Sequence, residues 1–269
     1  VQHAPGGIVT AIEKATEEYS PVKIYAMFSG GDGSLAATHY AMENGAHEVL
    51  HIDTGIGVNE SLELSVQEFV RETCRTYNWP LQIETPPDLD YRKMVLKYGF
   101  PGPGAHLYPY SWLKERAIAK VIRETKRKWV DKVGLSTGVR NGDSARRMGF
   151  IHPVVKEDAR IWIAPLFDWN KIQLYSYIKS QGIEQSPIAK LIGMSGECFC
   201  GAFAKPKEIV QIERHFPKLA MKIHALEVEA REVGVPCKWG VRPPKRRIRE
   251  QMDIPFMPMC VNCHAGDQL

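Results

Sequence analysis

Apolar positions along this chain alternate between two spacings. Lys23–Phe28 (KIYAMF) and Glu48–Asp53 (EVLHID) are short, mostly apolar runs of strand length. Between them Leu35–Met42 (LAATHYAM) has helical spacing, and Glu43-Asn44-Gly45 marks its carboxyl-terminal stop. Residues 59–77 read as a long helix with Leu62, Val66, Phe69, Val70 and Cys74 on one face, followed by Leu81–Glu84 as a short third strand. A short amphipathic helix over residues 8–19, ended by Ser20-Pro21, precedes all of this. Strand and helix in strict alternation predict an α/β fold, a doubly wound parallel sheet.

Beyond Pro86-Pro87 the pattern loosens. Residues 90–98 read as a helix, and Gly99–Pro109 as a Gly- and Pro-rich loop long enough to serve as a lid or substrate loop. A helix over 111–128 ends in Lys126-Arg127-Lys128, most simply a solvated cluster that complements the helix dipole. Strands are predicted at 132–137 and 162–167, the latter leading through Asp168-Trp169-Asn170 into a helix carrying Ile172, Leu174, Tyr175, Tyr177 and Ile178. A helical stretch over 205–233 leads into an extended basic arm, Lys238–Arg249, where Trp239 beside Lys238 suggests base stacking.

With 269 residues the chain can bury one large core plus an appendage, and the division expected is 1–195 and 196–269. No apolar run approaches the ~20 residues that cross a bilayer. Val1–Gly7 has no basic start followed by an apolar stretch, so a cytoplasmic protein without a membrane partner is expected. A net charge of +4 is compatible with nucleotide substrates and does not demand nucleic acid.

Candidate chemistry concentrates at the predicted strand ends. Ser29-Gly30-Gly31-Asp32-Gly33-Ser34 joins the first strand to its helix. Glycines there let the backbone approach a ligand, and the unpaired N–H groups of the helix start attract phosphate. An ordinary tight turn would use the same glycines. Asp53-Thr54-Gly55 ends the second strand, with Asp53 able to meet a ribose, an adenine or a metal, or simply to cap the loop. The fourth strand runs into a loop holding Gly138, Arg140, Ser144, Arg146 and Arg147, whose guanidinium groups suit phosphate or sulfate oxygens. Lys114 and Arg116 are further phosphate candidates beside the lid loop.

SGGDGS resembles the SGGxDS pyrophosphate loop of the adenine nucleotide α-hydrolases, which include ATP pyrophosphatases and phosphoadenylylsulfate (PAPS) reductases. Gly138, Arg140, Ser144 and Arg147 match the PAPS reductase pattern G-x-R-x-x-x-S-x-x-R, and the resemblance spans roughly residues 22–203. One position departs from it. The family's acidic residue, which helps place the metal on the phosphates, falls at Gly33, and Asp32 occupies the variable position. Either Asp32 substitutes by a local shift, or the loop is impaired, or the residue was changed.

Of six cysteines, four form close pairs, Cys198/Cys200 and Cys260/Cys263, a soft donor set for zinc or an iron–sulfur cluster. Cys74 reads as a buried small hydrophobe, Cys237 as a free thiol or an alternative ligand, and His264 as able to replace one cysteine. The resemblance favours [4Fe–4S] over zinc, because several branches carry such a cluster, among them the sulfurtransferases of DNA phosphorothioate modification. The Glu-Cys-Gly-x-His nucleophile motif of the sulfonucleotide reductases does not occur here.

The resemblance therefore implies ATP with Mg2+, cleaved to AMP and pyrophosphate to adenylate an acceptor for sulfur incorporation. Asp32, Arg140 and Arg147 would be catalytic. Ser29, Gly30, Gly31, Gly33, Ser34, Asp53, Thr54, Gly55, Gly138, Ser144 and Arg146 would bind nucleotide. DNA as acceptor and a sulfur donor such as a cysteine desulfurase are the implied partners. The alternatives are a reductase of PAPS or adenylylsulfate, with Cys237 or a paired cysteine as its thiol, and an impaired subunit that only binds nucleotide or nucleic acid.

Overall fold

The computed structural model describes residues 10–86, 91–141 and 152–241. Its six strands are β1 Lys23–Met27, β2 Glu48–Ile52, β3 Leu81–Glu84, β4 Val133–Ser136, β5 Val154–Glu157 and β6 Arg160–Ile163, in the sheet order β3-β2-β1-β4-β6-β5. All neighbours are parallel except β5 with β6, so the predicted sheet gains one antiparallel edge strand.

Period two decides what each face of the sheet meets. On β1, Ile24 and Ala26 turn towards Ile12 and Ala15 of helix α1 (Ala11–Tyr19), together with Ile161 and Ile163 of β6. Tyr25 and Met27 turn the other way, onto Ile118, Val121 and Ile122 of α6 (Arg116–Thr125), together with Leu50 and Leu135. Both faces are thus covered, as an apolar parallel strand requires.

Helix starts follow local chemistry where a cap is present. Thr10 and Glu13 form a capping box on α1, and Asn170 with Gln173 forms another on α7 (Lys171–Ser180). The predicted 59–77 helix starts later, as α3 over Val66–Thr76, with Ser65 as its N-cap. Residues 59–65 instead make a tight excursion closed by an Asn59–Ser65 bridge, and Leu62 is 82% exposed rather than on a buried face. The physical reason is remote. Glu60 accepts hydrogen bonds from the backbone N–H groups of Lys218 and Leu219 at 2.9 and 2.8 Å, at the start of α10 (Pro217–Glu232), which follows α9 (Glu208–His215).

The long loop predicted at 99–109 is partly helical. After α4 (Tyr91–Tyr98) come a 3-10 turn over Pro103–Ala105 and α5 (Leu107–Tyr110), and a π-helical turn, Ser111–Glu115, runs into α6. The predicted 162–167 strand begins at Arg160 and stops at Ile163, since Pro165 has no N–H for the ladder. Residues 187–192 form a further helix, α8 (Pro187–Ile192), capped by Ser186.

The segment after residue 196 joins the main core. Phe199, Cys200, Ile212, Phe216, Leu219 and Trp239 share one buried cluster with Phe28, Leu35, Val70 and Met94. Trp239 is therefore not a stacking platform: it is 4% exposed, and its indole N–H donates to Phe199 O at 2.9 Å. Cys74 is buried as expected, and burial pushes its thiol up to about 12. Among the described residues no helix is long and apolar enough to cross a membrane.

Candidate nucleotide site at the carboxyl ends of the strands

The strand order changes direction at β1: the chain winds to β2 and β3 on one side and to β4 on the other. The crevice beyond the carboxyl ends of β1 and β4 is where such sheets take ligands. Ser29–Ser34 and Gly138–Arg140 meet there. Helix α2 runs over Asp32–Glu43, so it begins inside the glycine loop rather than after it, with Gly31 as N-cap.

Three contacts shape the loop. Gly30 adopts φ +80, and a Cβ there would lie 3.0 Å from Val66 Cγ1. Gly138 packs so tightly that a Cβ would stand 2.6 Å from Gly33 C and 2.7 Å from Ser34 N. The buried Ser34 hydroxyl folds back: it accepts from Ser29 N at 3.2 Å and donates to Gly31 O at 2.9 Å. The loop backbone is thereby held bare of side chains and tied to the helix start, where unpaired N–H groups point outward.

Asp32 is the first residue of α2. Its Oδ2 accepts from Tyr175 Oη of α7 at 3.0 Å, while Oδ1 is buried and accepts no hydrogen bond among the described residues. Burial, then the Asp32 charge and its hydrogen bond, raise the Tyr175 phenol pKa, and Arg140 pulls it back down. Arg140, Tyr175 and Asp32 are therefore electrostatic neighbours. An orphaned, buried carboxylate oxygen beside a phosphate-type loop fits a hard cation such as Mg2+. In the sequence Tyr175 is visible only as a member of the helix that follows Asp168-Trp169-Asn170.

Gly33, the second residue of α2, has room. A Cβ there meets only Gly138 O, at an ordinary 3.5 Å. Aspartate would add helix propensity and a negative charge at the positive helix end, so Gly33→Asp is expected to stabilise by about 0.5–1 kcal/mol. That corresponds to a rise in Tm of about 1–4 °C by thermal unfolding. A lower Tm would show that the loop cannot hold a side chain.

The second strand end is braced from behind. Asp53 caps its own turn: Oδ1 accepts from Gly55 N at 2.9 Å and Oδ2 from Gln67 Nε2 at 3.0 Å. Thr54 is fully buried and donates twice to Glu197, from N to Oε1 at 2.8 Å and from Oγ1 to the backbone O at 2.6 Å. Val58 N donates to Gly196 O at 2.8 Å and Phe199 N to Ile56 O at 3.3 Å, so the segment bearing Cys198 lies along the turn after β2. Glu197 Oε2 stands 3.4 Å from His51 Nε2, and His51 Nδ1 is 2.8 Å from Phe28 O, immediately before the phosphate-type loop. Burial raises the Glu197 pKa, against the lowering effects of His51, the Thr54 N–H and Lys114. Sequence analysis missed Glu197 and His51. The available signal was a histidine inside an otherwise apolar strand, since a polar group there needs a partner.

Lys114, predicted as a phosphate ligand, is buried near Glu197, and Arg116 lies over the Trp112 ring at 4.7 Å. Ser144, Arg146, Arg147, Cys260, Cys263, His264 and most of the basic arm lie outside the described residues. Cys198, Cys200 and Cys237 all approach Tyr91, whose pKa burial and then these three thiols raise, and whose hydroxyl donates to Cys200 O at 2.7 Å. Among the described residues no group of three or more His, Cys, Asp or Glu side chains is arranged to hold a metal ion. The described thiols therefore do not by themselves make a closed cluster or zinc site.

In comparisons with known proteins, residues 23–191 match the family model "Phosphoadenosine phosphosulfate reductase domain". Among solved structures, the chain is similar to a Candida auris PAPS reductase in a phosphate complex, with 17% identity, TM-score 0.49, and 67% of this chain and 82% of that one covered. It is also similar to a Candida glabrata FMN adenylyltransferase in complex with ATP, with 14% identity, TM-score 0.46, and 67% and 55% covered. No curated protein matches the sequence. The family match takes in more than half of the chain, from β1 through α8 and so across both halves of the crevice: the chain belongs to the phosphoadenosine phosphosulfate reductase domain family.

Proposed function

We propose that this chain binds ATP in the crevice between β1 and β4 and cleaves it at the α-phosphate. The observation that carries this reading is the buried, undonated Oδ1 of Asp32 at the start of α2, beside a loop whose backbone Gly30, Gly31 and Gly138 keep bare. The N–H groups and dipole of α2 hold phosphate oxygens. Ser29 and Ser34 keep the loop in register, and Asp32 is the residue that would hold Mg2+. Bound there, Mg2+ supplies charge neutralisation on the phosphates. Arg140, with Arg146 and Arg147, offsets the charge that develops on the departing pyrophosphate.

The acceptor oxygen attacks the α-phosphorus as the bond between that phosphorus and the α–β bridging oxygen breaks. Pyrophosphate leaves and the acceptor is adenylated, with the proton of a hydroxyl acceptor passing to solvent and an ionised phosphodiester oxygen attacking as the anion. The terminal sulfur of a donor-protein persulfide then displaces AMP, and a second donor thiol attacks the sulfur–sulfur bond, freeing the sulfur-bearing acceptor and leaving a disulfide on the donor. The DNA backbone is one acceptor this scheme accommodates. In the same reading Cys198, Cys200, Cys260 and Cys263 are the ligands of a [4Fe–4S] cluster. A colourless anaerobic preparation with stoichiometric zinc would overturn that assignment.

A second reading is favoured by one observation: the Cys198 segment is hydrogen-bonded along the Thr54–Val58 turn. A Cys198 thiolate could attack the sulfur of a sulfonucleotide, expelling the nucleotide phosphate and leaving a thiosulfonate. An external dithiol then releases sulfite and is oxidised to its disulfide.

The deciding assay is pyrophosphate release from Mg-ATP by the full chain and by Gly33→Asp, side by side. Magnesium-dependent release is expected. Background release from both forms would sink the ATP reading, and sulfite release from PAPS with thioredoxin would establish the reductase. Nucleotide binding without turnover of either substrate would leave a binding subunit.

A further inference from the structure

The crevice leaves the opposite edge of the sheet unused. There α6 ends at Thr125, the chain turns through residues 126–131 into the start of β4, and the β5–β6 turn at Asp158 and Ala159 lies alongside. These segments frame a groove of about 430 Å³ whose walls include Arg123, Lys126, Arg127, Lys128, Trp129 and Arg160. Asp158 is the acidic residue of its lining.

Two independent features mark this groove. The first is charge. Arg160 is paired with Glu115 and Glu157, and Lys120 with Glu84, but among the described residues no ion pair engages Arg123, Lys126, Arg127 or Lys128. Asp131 accepts from Arg127 N and Lys128 N at 2.9 and 2.8 Å, which folds the turn, and its charge also acts on Lys128 and Lys126, while Lys126 Nζ donates to Trp129 O at 2.9 Å. The second is Trp129, which is 88% exposed, although an indole ordinarily buries most of its surface. Complementing the α6 dipole accounts for cations in the last helical turn. It does not account for cations past the helix end or for a bare indole among them.

We propose that this groove binds a segment of single-stranded nucleic acid, with Trp129 stacked on an unpaired base and the flanking cations on successive phosphates. An acidic peptide would use the charges but leave the indole idle. A duplex keeps its base faces covered. A mononucleotide would need one phosphate cluster, whereas these cations spread over a helix end and the turn that follows it. Aromatic platforms beside a cationic track are the general means of holding unpaired strands. The inference does not rest on the ATP reading, because the groove lies at the amino-terminal edge of the sheet and shares no residue with the crevice.

The test is fluorescence anisotropy of a labelled dodecameric oligothymidylate with the full chain, titrated from about 50 to about 200 mM salt. Binding is expected, and it should weaken steeply with salt. Trp129→Ala should lower affinity about 10-fold. The triple variant Lys126→Gln, Arg127→Gln, Lys128→Gln should reduce the slope of log affinity against log salt by about 2. Trp129, Arg127 and Lys128 are exposed and Lys126 is half-buried, and unchanged melting of each variant separates lost binding from lost folding. Several outcomes would overturn the proposal: no binding by the native chain, equal affinity for duplex, or full displacement by thymidine monophosphate at matched nucleotide concentration. Unaltered affinity in both variants would do the same and would move the contact to residues 242–249.

Discussion

Asp32→Ala is expected to lower magnesium-dependent pyrophosphate release about 100-fold, the size of losing one preorganised charged contact at a phosphoryl centre, or about 2.7 kcal/mol of barrier. The fold should survive. Asp32 is partly exposed, and the variant gives up only the attraction of a carboxylate to a helix start, about 0.3–1 kcal/mol. Asp32→Asn is the sharper variant, because it retains an oxygen for the Tyr175 hydroxyl but not the negative charge. If charge is what matters, the asparagine and alanine variants fall together. If only the Tyr175 contact matters, asparagine stays near the native rate and Tyr175→Phe falls as far as alanine does. Native turnover in Asp32→Ala would remove Asp32 from the site, and Gly33 would then mark a loop that works without a carboxylate.

The second large effect is on stability. Glu197→Ala should destabilise the chain by about 3–5 kcal/mol, because it strands the Thr54 N–H and the His51 ring where both are buried. For a chain of this size that is a fall in Tm of about 10 °C. Glu197→Gln keeps an acceptor for Thr54 and removes the ionisation, so it separates the two contributions. The folded-state pKa of Glu197 is raised above its ordinary 4.5, burial being the main cause. The folded protein therefore holds this proton to higher pH than the unfolded chain does. Its contribution to stability is greatest below about pH 4.5, falls as pH climbs towards the raised folded value, and is level beyond it. Glu197→Gln should lack that decline. An alanine variant that melts like the native protein, or a glutamine variant with the native pH slope, would contradict the assignment.

Glu197 also ties three segments together. Through Thr54 it holds the turn after β2. Through His51 it reaches Phe28 O, just ahead of the phosphate-type loop, and it neighbours Cys198 in the chain. Loss of Glu197 is thus expected to disturb nucleotide binding as well as melting.

How much of this was legible beforehand follows from where each signal resides. Strands β1 to β4 and helix α2 were readable because their apolar runs and glycine stops are local, and a strand buried on both faces looks continuous in sequence. The glycine loop was readable because only glycine admits the φ of Gly30 and the approach of Gly138. The helix after β2 was placed seven residues early. Nothing within residues 59–65 reveals that Glu60 caps a helix more than 150 positions away. Strand β5 was missed because four residues, only partly buried at an edge, carry little periodicity.

By itself, then, the sequence determined the alternation of elements, the two-sided sheet and the location of the phosphate-type loop, because backbone freedom and hydrophobic spacing act between near neighbours. Tertiary structure alone decided that α2 begins at Asp32, that Tyr175 and Arg140 stand beside that carboxylate, and that Glu197 underpins the Thr54 turn. It also buried Trp239 while leaving Trp129 bare. Those outcomes depend on which distant groups arrive to satisfy a buried polar atom or cover an aromatic face. Both tryptophans sit beside basic residues in the sequence, and only the packed chain tells them apart.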